Sequence, residues 1–146
     1  MLLSLALSLF WAAFLAATVL PFSSEAALSA ALAAGLPWAL ALVCATLGNA
    51  AGSMTTWYLG RLGRLDWLKK YCRVTEEQIV KAQKRIGRFG AAGAFLCFLP
   101  VVGDVFAIAL GFMRYPAGRF LIFMTAGKFC RYTLWIWIHL TIKDAL

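Results

Sequence analysis

Leu20-Pro21-Phe22-Ser23-Ser24-Glu25 and Leu99-Pro100-Val101-Val102-Gly103-Asp104 superpose under a shift of 79, and each interrupts an apolar stretch with a proline and an acid. Proline removes a backbone donor and breaks a helix, so each hexapeptide splits its stretch into two arms. The later arms are short. Residues 105–112 reach only about 12 Å as a helix, whereas a hydrocarbon core is about 30 Å thick. Residues 89–99 and 26–34 are likewise too short to cross, and 2–20 is just long enough to span. Two half-length arms around such a break describe a re-entrant hairpin, tolerated where other helices or water satisfy the broken backbone.

The same shift, without a gap, also pairs Pro37 with Pro116, Thr46 with Thr125, Gly48 with Gly127, and Asn49 with Lys128. Each half therefore reads as a hairpin followed by a spanning helix, at 38–60 in the first half and 120–142 in the second. With one crossing per half the two halves run in opposite directions. That is an inverted repeat, the build common among secondary transporters. The expected fold is an all-α integral membrane protein: a first membrane repeat over 1–60, a basic loop with an amphipathic helix over 61–88, and a second repeat over 89–146.

Composition agrees with this frame. Of 146 residues, 63% are hydrophobic and only 14% charged, where a soluble domain carries about 25% charge. Nine of the fourteen basic residues fall between Arg61 and Arg88. A net charge of +8 raises the question of nucleic acid. The basic block lies between membrane segments, however, so the positive-inside rule accounts for it and no nucleic-acid partner is expected. The loop 61–88, with Arg114 and Arg119, is expected to be cytoplasmic. Both chain ends are then outside if 2–20 forms a hairpin arm, and the N-terminus is cytoplasmic if it spans. Residues 1–20 lack the basic start of a signal peptide and are read as part of the fold. Cys44, Cys72, Cys97 and Cys130 make no C-x-x-C pair and read as small apolar residues, with no metal or cofactor implied.

Within the loop, Thr75-x-x-Gln78 has the pattern of a capping box, with Glu76 and Glu77 in the first turn. Ile79, Ala82, Ile86 and Phe89 share one helical face, and Lys81, Lys84, Arg85 and Arg88 the opposite one. Such a helix lies on the inner leaflet with its basic face towards anionic headgroups, or packs on the protein with that face in water.

Four charges fall inside the apolar segments: Glu25, Asp104, Lys128 and Arg131. A charge at mid-bilayer costs at least about 2.5–3.5 kcal/mol and faces a partner or a wet cavity. Two readings follow: ion pairs that hold hairpins to spanning helices, or a site for substrate or protons. In helical projection Thr125, Lys128, Arg131, Tyr132, Trp135 and His139 share one side of the last helix, opposite Phe123, Cys130, Leu134 and Trp137. Thr46, Asn49, Ser53 and Thr56 form a narrower stripe on the other spanning helix, beside Gly48-x-x-x-Gly52, which permits close helix approach. The two stripes are expected to face each other. Candidate substrate- or proton-binding residues are Glu25, Asp104, Lys128, Arg131, Asn49 and Tyr132. Ser23 or Ser24 is placed to cap the helix after the first break. No enzyme signature such as H-E-x-x-H, G-x-S-x-G or a phosphate loop occurs, so no catalysis is expected.

The motifs Leu20-Pro21-x-x-x-Glu25, Gly48-Asn49-x-x-Gly52, Tyr58-x-Gly60-Arg61, Leu99-Pro100-Val101-Val102-Gly103-Asp104 and Gly127-Lys128-x-x-Arg131-Tyr132 resemble the bacterial YqaA family. That family is a small branch of the DedA (SNARE-associated, VTT-domain) superfamily. The resemblance implies an inner-membrane protein with two facing re-entrant hairpins. It also implies movement of phospholipid or polyprenyl-phosphate carriers between leaflets, with or without proton coupling. Glu25 matches the acid of the superfamily's first hairpin motif. The second motif departs from the larger DedA proteins, which carry arginines flanking the proline, here Cys97 and Gly103. The function expected is thus a transporter or lipid translocase for a phosphate-bearing lipid or another small anion, with membrane lipids as partners; a homo-oligomer is compatible with it. The alternative is a non-transporting membrane scaffold that gathers partners through the basic loop, and an intramembrane lipid enzyme is a third.

Overall fold

A computed structural model describes residues 1–18, 23–62, 75, 77–78, 80–81, 84, 102–112 and 115–146. The first break at Pro21, most of the basic loop and its helix, the arm 89–99 and the second break at Pro100 lie outside the described residues. Among the described residues five helices have delineated bounds: α1 (Leu2–Ala16), α2 (Ser24–Ala33), α3 (Trp38–Arg61), α4 (Val102–Phe112) and α5 (Ala117–Ala145). No strand occurs among the described residues.

Helix α1 stops at Ala16, so it covers about 22 Å and falls short of a full crossing. Proline cannot continue a helix, and its ring clashes with the carbonyl four residues earlier. For Pro21 that carbonyl belongs to Ala17, the C-cap of α1. Ser23 then caps α2, its hydroxyl accepting from the Ala26 amide at 3.2 Å. Helix α2 ends in a Schellman turn. Gly35 adopts a φ of 94°, the Gly35 amide donates to the Leu32 carbonyl at 3.1 Å, and the Leu36 amide donates to the Ala31 carbonyl at 3.0 Å. Pro37 follows as the N-cap of α3.

The same junction recurs at the matching place in the second half. The Tyr115 amide donates to the Leu110 carbonyl at 3.0 Å, as Leu36 does to Ala31, and Pro116 is the N-cap of α5 as Pro37 is of α3. The Phe120 amide bonds the Pro116 carbonyl at 3.0 Å, matching Ala41 to Pro37 at 2.9 Å. Among the described residues, α3 is the helix long and apolar enough to cross a membrane by length and composition. Helix α5 has 29 residues, but it carries Lys128, Arg131 and its terminal Lys143 and Asp144 and does not meet that measure.

Helix α3 is the axis of packing. Its Gly48 and Gly52 sit directly against the Phe10 and Phe14 carbonyls of α1, so a β-carbon on either would strike that backbone. Two α3 side chains serve α1's end: the Asn49 amide donates to the Ala13 carbonyl at 2.9 Å, and the Thr56 hydroxyl donates to the Ala17 carbonyl at 3.0 Å. The last carbonyls of a helix have no partner within it, and these two are satisfied from outside. Farther along, Gly60 meets the Ile108 carbonyl of α4, and Gly111 of α4 meets the Trp57 carbonyl. Two apolar clusters result. One gathers Trp57, Phe106, Leu110, Phe120 and Met124, with the Trp57 and Phe120 rings stacked at 6.0 Å. The other gathers Leu9, Leu28, Leu42, Tyr132 and Ile136. The face of α5 opposite the polar stripe is exposed at Phe123, Cys130, Leu134 and Trp137.

In the basic loop, Thr75 and Gln78 make the reciprocal bonds of a capping box at 3.2 and 3.3 Å. Glu77 pairs with Lys81 at 2.9 Å.

Candidate functional site

The first turn of α2 presents Ser24 and Glu25 to the middle of α5, where Arg131 and Tyr132 lie. Arg131 Nε stands 3.3 Å from Glu25 Oε1, and both side chains are about 15% exposed. That separation is longer than the 2.7–2.9 Å typical of a charge-assisted bond. Arg131 Nη2 donates to Ser24 Oγ at 3.1 Å and to the Tyr132 hydroxyl at 3.0 Å. The Tyr132 hydroxyl donates to Ser24 Oγ at 2.9 Å. Ser24 in turn donates towards Glu25 Oε2 at 3.4 Å, and Ser23 donates to the same oxygen at 3.1 Å. Ser24 is thus the hub: it accepts twice and donates once, the full capacity of a hydroxyl. The Arg131 guanidinium also lies 4.8 Å from the Tyr132 ring centre.

The cluster is arranged around an anion, the Glu25 carboxylate. The start of a helix carries partial positive charge, and Arg131 with two hydroxyl donors completes the surround. Glu25 is the internal anion that fills it. Ser24 reads from sequence as one of two cap candidates. Ser23 is the cap, and Ser24 is released to join α5.

A second cluster begins one turn earlier on α5. Lys128 is only 2% exposed and donates through Nζ to Asn49 Oδ1. Asn49 passes the bond on to the Ala13 carbonyl at the end of α1. Lys128 and Asn49 are 79 residues apart, so the repeat shift brings two equivalent positions into contact. Thr46, one turn before Asn49, is buried with no hydrogen-bond partner for its hydroxyl among the described residues. The facing of the two polar stripes is therefore carried by Asn49 and Lys128. Much of the α3 stripe turns instead to α1's backbone, which helical projection does not reveal. Thr125 departs from its stripe as well, lining an apolar groove of about 620 Å³ between α3 and α5 with Leu47, Met54 and Phe129.

Glu25, Arg131 and Tyr132 meet in one cluster, and Asn49 and Lys128 in the next. Asp104 falls in the first turn of α4, in register with Glu25, and its side chain lies outside the described ones. No sequence signal pairs Trp135 with Ser29, yet Trp135 Nε1 donates to Ser29 Oγ at 3.0 Å. Among the described residues no group of three His, Cys, Asp or Glu side chains is placed to hold a metal.

Over 127 residues the chain is 40% identical to the inner membrane protein YqaA of Escherichia coli, across 86% of this chain and 84% of that protein. The chain belongs to the YqaA family. That family lies within the DedA family of membrane proteins. A Haemophilus influenzae relative is 36% identical over 132 residues, covering 85% of this chain and 80% of its own. A protein named alkaline phosphatase-like in Lactococcus lactis is 30% identical over 95 residues, 59% of this chain and 44% of that protein. No protein-family model and no solved structure matches this YqaA-family chain.

Proposed function

We propose that this YqaA-family protein is a multi-pass inner-membrane transporter or lipid translocase, moving a phosphate-bearing lipid or another small anion between leaflets. The observation that carries the reading is the half-buried anion site itself. Glu25 sits among Arg131, two serine hydroxyls and a helix start, and a substrate phosphate suits every one of those donors. The short α1, α2 and α4 and the junction that recurs in both halves support an inverted repeat of hairpin and spanning helix. Membrane lipids are the partners, with the loop 61–88 on the cytoplasmic side and no catalysis. The name of the Escherichia coli relative supports the membrane assignment. Release of Glu25 from Arg131 would leave the guanidinium to the substrate.

A scaffold reading draws on the same cluster, because Glu25 and Arg131 already answer each other. The test is to replace Glu25→Gln and Asp104→Asn, which keep shape and remove charge. Transport by the purified protein is expected to vanish with folding and insertion intact. Two fully active variants would make the carboxylates idle in transport and leave Glu25 and Arg131 as a structural pair, whereas a parent protein without transport would favour the scaffold.

A further inference from the structure

The two hairpin helices α2 and α4 occupy matched places in the repeat, yet they are held in different ways. Helix α4 meets α3 backbone to backbone: Gly60 lies on the Ile108 carbonyl and Gly111 on the Trp57 carbonyl. Helix α1 meets α3 in the same manner through Gly48 and Gly52, reinforced by Asn49 and Thr56. Close crossings of this kind gain packing and weak Cα–H···O contacts along their length. They cannot loosen by turning a single side chain. Helices α1, α3 and α4 thus form one locked body.

Helix α2 approaches α5 far more sparsely than α4 approaches α3. Its described polar links to α5 run through side-chain tips, as a ladder along α2: Glu25 to Arg131, Ser24 to Arg131 and Tyr132, and Ser29 to Trp135. It also packs against α1 and α3 through apolar side chains, Leu28 and Ala31 among them. In a bilayer such contacts carry little net drive, since lipid tails replace them at small cost. The repeat equivalent of Gly111 is Leu32 and that of Gly60 is His139, so the α2 side lacks the glycines that lock α4.

We infer that α2 is the moving gate of the protein, swinging from α5 by release of this ladder while α4 stays fixed on α3. Opening uncovers the Arg131 guanidinium and the Tyr132 hydroxyl of α5, donors suited to a phosphate monoester or diester, and carries Ser24 away with α2. Gating of transport rests on the function proposed above; the unequal attachment of the two helices does not.

The test uses Leu28 on α2 and Ala107 on α4, both fully buried and matched by the repeat shift. In a full-length protein with its four cysteines replaced by alanine, Leu28→Cys and Ala107→Cys are reconstituted separately in liposomes and treated with N-ethylmaleimide. Alkylation at position 28 is expected at least ten-fold faster than at 107. Adding Trp135→Phe, which removes the bond to Ser29, is expected to quicken it several-fold at 28 and leave 107 unchanged. Equal rates, a faster reaction at 107, or no response at 28 to Trp135→Phe would overturn the proposal. Should either cysteine variant fail to fold, amide hydrogen exchange on the unaltered protein decides: α2 must exchange faster than α4, and equal protection refutes the gate. An alkylation contrast without any transport would leave the gate standing and sink the proposed function, so the two failures are distinguishable.

Discussion

Replacing Gly111→Ala probes the locked crossing of α3 and α4. A β-carbon there would fall well inside 3.0 Å of the Trp57 carbonyl oxygen and 3.0 Å from the Arg61 amide nitrogen. Both neighbours are helix backbone, which no rotamer change can move aside. To regain ordinary contact near 3.4 Å, α4 must back away from α3 by an ångström or more. That shift pulls Phe106 and Leu110 out of the cluster with Trp57 and Phe120. Overpacking of this kind costs about 1–3 kcal/mol. Alanine's better helix propensity returns up to about 1 kcal/mol in a helix interior, and less here, one residue from the end of α4. A net loss of about 1–2 kcal/mol remains, or about 2–8 °C in Tm for a chain of this size. The control is Gly118→Ala, where nothing lies within 4 Å of the added carbon, so Tm is expected to hold or rise. The assay is thermal unfolding in detergent followed by tryptophan fluorescence. A Gly111→Ala protein as stable as the parent would refute the close crossing.

Three further outcomes follow from particular side chains. Asn49→Leu removes a buried partner of Lys128 and uncaps the Ala13 carbonyl; a loss of about 1–3 kcal/mol is expected, read as a lower Tm in detergent. Ser23→Ala removes the cap on α2, with an expected cost of about 1 kcal/mol and faster amide exchange in the first turn of that helix. Lys81→Cys, in a background without native cysteines, is expected to resist a membrane-impermeant thiol reagent applied to intact cells. Labelling there would reverse the orientation.

Much of the fold was legible because its signals are local or periodic. Pro21 and Pro37 bound α2 from the outside, and Gly35-Leu36 supplies the turn that ends it, so α2 and the start of α3 follow from chemistry within a few residues. The repeat shift was legible too, and it reappears in the bonds Leu36 to Ala31 and Tyr115 to Leu110. Glu25, Arg131, Asn49 and Lys128 stood out because charge and amide groups are costly in an apolar stretch, and Tyr132 because it shares the helix side of Lys128 and Arg131. What the sequence concealed is which partner each polar group takes. Asn49 and Thr56 look like a stripe aimed at another stripe, but α1 ends beside them and its open carbonyls compete for the same donors. Ser24 looks like a cap because serine at a helix start usually is one. Nothing in the sequence marks Gly60 and Gly111 as packing positions, and only the crossing of α3 with α4 shows them as contact points.

Leaflet exchange in liposomes tests the central claim most directly. Purified protein is reconstituted with a fluorescent phosphate-bearing lipid, and the movement of label between leaflets is followed beside protein-free liposomes. Arg131→Lys is run in parallel, because lysine keeps the charge towards Glu25 but loses the planar fork that reaches Ser24 and Tyr132. The account predicts exchange well above the protein-free rate for the parent, and at least a ten-fold loss for Arg131→Lys with its thermal stability near the parent's. Exchange at the protein-free rate for the parent, or equal exchange by parent and Arg131→Lys across several phosphate lipids, would contradict it.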